Sequence, residues 1–394
     1  MKVTLTKALN LMLTTVQPQQ DKASAVAAKD TRICLFPETL AGGGIGRTNL
    51  NLARGLLELG ADVDFFLTSK KGALTEQIPL RARVFEGGGS VKTSLRPLYQ
   101  YLNQEKPHAL ITAHVHVNIA STLVHKFTRG NTLLINTIHT ATSTDDTTLK
   151  KRMLSKVSKF SYPHADKVVA VSRAAADDTA DYLGLPKRRF DVIYNPVITP
   201  ELFEKAEQSI THPFFNEAQP VIVSVGRLTK QKDYSTLLRA FALLQREVKS
   251  KLIILGEGED RAKLEDLVSE LELTEDVSLH GFDTNPYAYM ADAKLFVSSS
   301  AWEGLPTVII EALALGTPVV ATDCPGGTRE ILEGGFGELV PVANPEALAI
   351  AMKESLRATP DKDKLRQRGA SFSYLEAARN YLELTGRLEK RGGL

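Results

Sequence analysis

Glu303 and Glu311 stand eight positions apart in the stretch AWEGLPTVIIEALALGTP, residues 301–318, and almost everything between and after them is apolar. A carboxylate in such a stretch needs a partner, because stripping its water costs several kcal/mol or more, about what a whole domain has to spare. The surrounding residues suggest one. KLFVSSS upstream reads as a strand, Pro306 suits a first helical turn where its missing N–H costs nothing, and Gly316 with Pro318 stops the helix. The N–H groups around Leu305, Pro306, Thr307 and Val308 would then point back toward the strand end. Geometry and helix dipole make that an anion site, and ligands of open α/β sheets bind there. Glu311 falls roughly one and a half turns further in. A ribose diol there would satisfy it while a diphosphate occupies the helix start, leaving Glu303 to face the group beyond. Structural ion pairs to Arg or Lys explain both glutamates equally well, and residue types alone leave the two readings open.

A second candidate is SVGRLTKQKDYSTLL, where Gly226 ends a VIVSVG strand and Arg227, Lys230 and Lys232 fill the loop before a helix. Two fixed cations at a strand end suit a diphosphate, and arginine can grip it bidentately. A solvated basic loop is the plain alternative. The third is LAGGGIGRTNL, whose glycines let backbone approach a phosphate or sugar. Gly42, Gly44 and Gly46 give G-x-G-x-G rather than the dinucleotide fingerprint G-x-G-x-x-G, although an acid, Asp62 or Asp64, is expected near the end of the next strand, so a nicotinamide-dependent oxidoreductase stays open.

His139 in NTIHTATS follows a strand, and His114 and His116 in AHVHV share a side if that strand continues. No third ligand has metal spacing, and H-E-x-x-H, C-x-x-C, G-x-S-x-G and the P-loop are all missing from the sequence. Asp62 and Asp64 sit in a strand pattern of alternating, outward acids and read as structural.

These loops require a scaffold. RICLF, ADVDFFLT, HALITA, TLLINTI and KVVAVS are strand-like, with NLNLARGLLELG and AAADDTADYLG helical between them; the pattern restarts at VIVSVG and continues to GELVPV. Two successive cycles predict two doubly wound domains. The expected divisions are a flexible leader at 1–30, an N-terminal domain at 31–195, a second at 196–372, and a helical tail at 373–394, with no strand after it, packing back on the first domain. A length of 394 residues accommodates two cores. A net charge of +2 demands no nucleic acid, and two distant cysteines, Cys34 and Cys324, fit a reducing cytosol. No apolar run reaches the length of a membrane span. LKKRMLSKVSKF, residues 149–160, repeats Leu149, Met153, Val157 and Phe160 at helical spacing among five basic residues. It could dock on anionic lipid or be an ordinary solvated face.

Together these pieces resemble the family 4 glycosyltransferases of GT-B fold, whose E-x7-E element is matched by Glu303 and Glu311. GRLTKQKDYSTLLRAFA and GGIGRTNLNLARGLLELGADV are similar to the family's phosphate-binding segment and glycine loop, in the same order. The resemblance implies two Rossmann-like domains facing a cleft and a nucleotide-sugar donor, with UDP expected. It places Arg227, Lys232 and the Gly226 loop on the diphosphate and Glu311 on the ribose. Leu305, Pro306 and Thr307 present backbone, Glu303 meets the donor sugar at the reacting face, and Gly43 and Gly44 approach diphosphate and acceptor. His139 stands beside the donor sugar, and the segment His280–Phe282, with Phe282, reads the base. Where family members often carry an acid two positions after the glycine pair, this chain has Gly46. The implied reaction is a retaining hexosyl transfer without metal or cofactor, on a glycan or lipid-linked acceptor, in the cytoplasm or at the inner membrane face. A GT-B-like epimerase or phosphorylase is a further alternative. A silent binding module fits poorly with four retained polar site residues.

Overall fold

The computed structural model describes residues 25–41, 43–140, 142–145 and 149–390. The chain divides into two compact units. Of the described residues, 25–197 with 372–390 form the first, and Ile198–Ser371 form the second.

In the first unit seven strands run parallel: β2 (Arg32–Glu38), β3 (Asp62–Leu67), β4 (Arg83–Glu86), β5 (Ala109–Thr112), β6 (Leu133–Ile138), β7 (Lys167–Ala170) and β8 (Phe190–Val192), in the order β4-β3-β2-β5-β6-β7-β8. Alternate residues of β2 enter separate cores, Ile33 and Leu35 on one face and Cys34 and Phe36 on the other, so both faces of the sheet are covered. In the second unit β9 (Val221–Val225), β10 (Lys251–Leu255), β11 (Val277–Gly281), β12 (Leu295–Ser298), β13 (Val319–Thr322) and β14 (Glu338–Val340) run parallel in the order β11-β10-β9-β12-β13-β14. Each sheet therefore reverses its winding beside its first strand, between β2 and β5 and between β9 and β12, where a crevice opens at the strand C-termini.

The chain closes back on its first unit. Tyr374–Leu384 is a helix against Gly43–Glu58, and its Tyr374 hydroxyl donates to Glu58 at 2.6 Å. The approach is close enough that a Cβ at Gly55 would stand 2.5 Å from the Tyr374 carbonyl oxygen. Leu388–Lys390 then pairs antiparallel with β1 (Ala25–Ala27). Two expectations are corrected by this: the last six residues of the supposed leader, 25–30, are ordered strand and turn, and the tail does end in a strand. Three-residue strands whose partners lie at opposite chain ends leave no periodicity to read. Residues 1–24 of that leader lie outside the described residues.

The reading of outward acids fails at Asp64. It is 1% exposed, and accepts from Arg83 Nε at 2.8 Å, Arg83 Nη2 at 2.7 Å and the Tyr101 hydroxyl at 2.7 Å. Its buried charge is met by a bidentate guanidinium that itself stays 44% exposed at the surface. Only Asp62 faces out. His114 and His116 are not on a continuing strand either. β5 stops at Thr112, His114 adopts φ +76°, and Val115–His125 is a helix.

Candidate functional site

Gly226 leaves β9 with its N–H on the Leu255 carbonyl. A side chain here would meet Lys232 Cε and the Tyr234 hydroxyl at 2.9 Å, so the glycine clears the path of the lysine. Asp233 caps the Tyr234–Gln245 helix by accepting from the Thr236 N–H. Lys232 is thereby fixed one residue before the cap, at the β9 strand end.

The loop after β12 is stitched to it. The Ala301 N–H bonds the Gln231 carbonyl at 2.8 Å, Ser299 Oγ donates to the Lys232 carbonyl at 2.8 Å, and Gln231 Nε2 donates to the Trp302 carbonyl at 3.0 Å. These bonds bring Glu303 to Lys232: Oε1 takes Lys232 Nζ at 2.5 Å and Ser300 Oγ at 2.7 Å. Among the described residues Oε2 has only Gln231 Nε2 at 3.5 Å, so it retains capacity to accept a hydroxyl. The buried Glu303 is therefore an ion-paired carboxylate at the winding reversal.

The helix after it runs Thr307–Leu315, with Pro306 at the N-cap rather than inside the first turn. The Ile309 N–H is used on the Pro306 carbonyl, leaving Thr307 and Val308 as the groups whose N–H face outward at the terminus. Gly316 closes the helix at φ +79°, donating its N–H to the Ala312 and Leu313 carbonyls. Glu311 is buried within this helix, and Leu305 and Pro306 are buried at its start. Arg227 is exposed and forms no ion pair among the described residues, so the structure does not join it to Lys232 and Glu303. Phe282, past β11, is 70% exposed.

The first unit carries a second group of polar residues at its own winding reversal. Gly43 and Gly44 open the Gly43–Glu58 helix, and a Cβ at either would meet nothing within 4 Å. Gly46 differs: a Cβ there would stand 3.0 Å from Leu74 Cδ1, so an acidic side chain at this position would press into the core. His139 follows β6, with Nε2 at 2.9 Å from Thr137 Oγ1; burial, with His114 nearby, pushes its imidazole down to about 3 and keeps it neutral. Sequence reasoning missed Glu38, whose Oε2 lies 2.9 Å from His116 Nε2, with the His114 ring stacked on His116 at 5.7 Å. Glu38 and His114 both take φ +76° at the ends of β2 and β5, strained conformations of the kind found at functional sites. The sequence signal was only a carboxylate just past a strand. Among the described residues, no three His, Cys, Asp or Glu side chains are grouped as metal ligands.

A family model for Glycosyltransferase Family 4 matches residues 42–200, and one for Glycosyl transferases group 1 matches residues 206–372. The chain belongs to the family 4-like glycosyltransferases. A relative of this glycosyltransferase in Campylobacter jejuni, named N-acetylgalactosamine-N,N'-diacetylbacillosaminyl-diphospho-undecaprenol 4-alpha-N-acetylgalactosaminyltransferase, is 34% identical over 60% of this chain and 65% of that protein. An uncharacterised glycosyltransferase of Methanocaldococcus jannaschii is 28% identical over 60% of each. The chain thus spans less than two thirds of both relatives. The crystal structure of Anabaena HepE with UDP-glucose superposes with TM-score 0.71 at 20% identity, covering 90% of this chain and 99% of that one, and shares the two-domain GT-B fold. In this family the oxidoreductase alternative is not favoured, for a physical reason as well. Asp62 and Asp64 begin β3 rather than end it, far from the C-terminal edge where a ribose is held, and Asp64 is already committed to Arg83 and Tyr101.

Proposed function

We propose that the protein transfers a hexose from a nucleotide-sugar donor, UDP-linked, to a glycan or lipid-linked acceptor, with retention and without a metal or cofactor. The observation that carries this reading is the junction of Lys232 and Glu303 ahead of the Thr307–Leu315 helix. A cation and a helix N-terminus together neutralise a departing diphosphate, which is the charge a metal would otherwise meet. Arg227 swings onto the diphosphate, Glu311 takes the ribose hydroxyls, Phe282 and its loop border the base, and Glu303 Oε2 accepts a hydroxyl of the sugar. The bond from the anomeric carbon to the diphosphate oxygen breaks through an oxocarbenium-like state. The acceptor oxygen bonds that carbon on the same face, and its proton passes to the leaving diphosphate. The family's pattern gives Gly43, Gly44 and His139 roles beside the diphosphate, the acceptor and the sugar. The undecaprenol in the Campylobacter relative's name and the UDP-glucose bound to the Anabaena structure support the acceptor and donor classes.

Calorimetric titration in EDTA with UDP, GDP, ADP and NAD tests it. UDP is expected to bind, and Arg227→Ala to weaken that binding by about tenfold or more. Binding of NAD alone, or of no nucleoside diphosphate, overturns the reading.

With a lipid-linked acceptor we infer that the enzyme works at the inner membrane face. The Leu149–Ser161 helix exposes Met153, Val157, Lys156 and Lys159, and the neighbouring Val115–His125 helix and its end expose Leu123, Lys126 and Phe127. The side chains of Leu149 and Phe160 lie outside the described residues. Apolar and basic groups side by side suit an anionic lipid surface. Pelleting with anionic vesicles at low salt, lost at high salt, is the expected result; no pelleting at low salt rejects membrane docking. Among the described residues no helix is long and apolar enough to cross a membrane.

A further inference from the structure

Thr137 Oγ1 lies 2.5 Å from the Thr112 carbonyl oxygen and 2.9 Å from His139 Nε2. A hydroxyl has one proton to give. Two oxygens at 2.5 Å with no proton between them would repel, so the Thr137 proton belongs to the Thr112 carbonyl. Thr137 Oγ1 must then accept from His139, and Nε2 must carry the hydrogen. Nδ1 is left with its lone pair and has no partner among the described residues.

The placement of Thr137 is determined from several sides. Asn118 Nδ2 donates to the Thr137 carbonyl at 2.8 Å, and Thr112 Oγ1 donates to Asn118 Oδ1 at 2.7 Å. Asn136 Nδ2 donates to Thr122 Oγ1 at 3.0 Å. Thr112, Asn118 and Asn136 are fully buried and Thr137 is 4% exposed. The network also reaches Tyr162 through Asn118, and with its members satisfied it fixes Thr137, through which it orients the His139 imidazole.

We propose that Thr137 is a positioning residue that holds His139 as its Nε2–H tautomer and so presents Nδ1 as an acceptor to a hydroxyl of the sugar substrate. Desolvation and the nearby His114 lower its pKa and favour the neutral ring. His139 consequently accepts a hydrogen bond from the sugar and supplies no positive charge to the leaving group. This role rests on His139 belonging to the transfer site, whereas its tautomer does not.

The test has two readouts on the full chain. In 15N-histidine NMR, with the His139 signal assigned by its loss in His139→Gln, the proton is expected on Nε2 in wild type and Thr137→Ser, and shared between both nitrogens in Thr137→Val. A proton on Nδ1 in wild type, or an unchanged pattern in Thr137→Val, overturns the proposal. In turnover of UDP-sugar, Thr137→Val is expected to lower kcat about tenfold, the worth of one hydrogen bond, with donor KM within about twofold, and Thr137→Ser to restore it. A fall in Thr137→Ser as deep as in Thr137→Val also overturns it. Wild type that turns over no nucleotide sugar defeats the functional reading instead, and the NMR result then still decides the tautomer.

Discussion

Lys232→Met is expected to cost about 3 kcal/mol of unfolding free energy, and adding Glu303→Gln to recover most of it. The side chains of Glu303 and Lys232 are 9% and 18% exposed. Without the lysine, Glu303 keeps its charge in a nearly dry site, held among the described residues by Ser300 Oγ at 2.7 Å and Gln231 Nε2 at 3.5 Å. A glutamine in its place needs no cation. Urea denaturation of wild type, both single variants and the double variant closes the cycle. A single Lys232→Met protein as stable as wild type would mean the pair is solvent-screened, and a double variant as unstable as the single one would mean the lysine acts by packing. Turnover behaves differently. Under the proposed function, in which the Glu303 charge faces the reacting sugar, Glu303→Gln is expected to lose about 10²–10³-fold whether or not stability is recovered. Near-normal turnover would remove that charge from the reaction.

Gly326→Ala is expected to reduce turnover by about 100-fold or more. Gly326 has φ +125°, and a Cβ there would stand 2.0 Å from the Glu303 carbonyl oxygen. Both parties are backbone, tied on either side by Glu303 N–H to the Pro325 carbonyl at 2.9 Å and Gly327 N–H to the Gly304 carbonyl at 2.7 Å, so no rotamer change relieves the contact. The segment carrying Glu303 has to shift, and a shift of about 1 Å at a reacting group is worth such a loss. Gly386→Ala is the control. At φ +65° with nothing within 4 Å of the added carbon, it carries the conformational strain, about 1–3 kcal/mol, without the clash. Equal turnover losses in the two variants would show that strain alone, not displacement of Glu303, is responsible.

The parts of this site readable from sequence were those that local chemistry dictates. Alternating strand and helix patterns, the glycine that stops the Thr307–Leu315 helix and the cations after β9 all follow from residue types within a few positions. What stayed hidden is non-local. Lys232 and Glu303 are 71 positions apart, and only the adjacency of β9 and β12 joins them. Glu38 and His116 are 78 apart and meet for the same reason across β2 and β5. β4 was missed because it is four residues long with no buried position. The two histidines of AHVHV kept a strand's period of two, yet a positive φ at His114 turned the chain into a helix. Asp64 looked like its exposed neighbour Asp62 until Arg83 was placed beside it.

The return of Tyr374–Leu384 to Gly43–Glu58 has a consequence for biosynthesis. The polypeptide leaves the ribosome N-terminus first, and domains generally fold in that order. Here the unit begun first is finished last: its seven strands emerge within the first 192 residues, but the helix that covers Leu52 and Leu56 arrives nearly two hundred residues later, after the whole of Ile198–Ser371. The early unit therefore waits with an uncovered apolar face while the later one forms. Hsp70-type chaperone occupancy and protease sensitivity of nascent chains should concentrate on that interval.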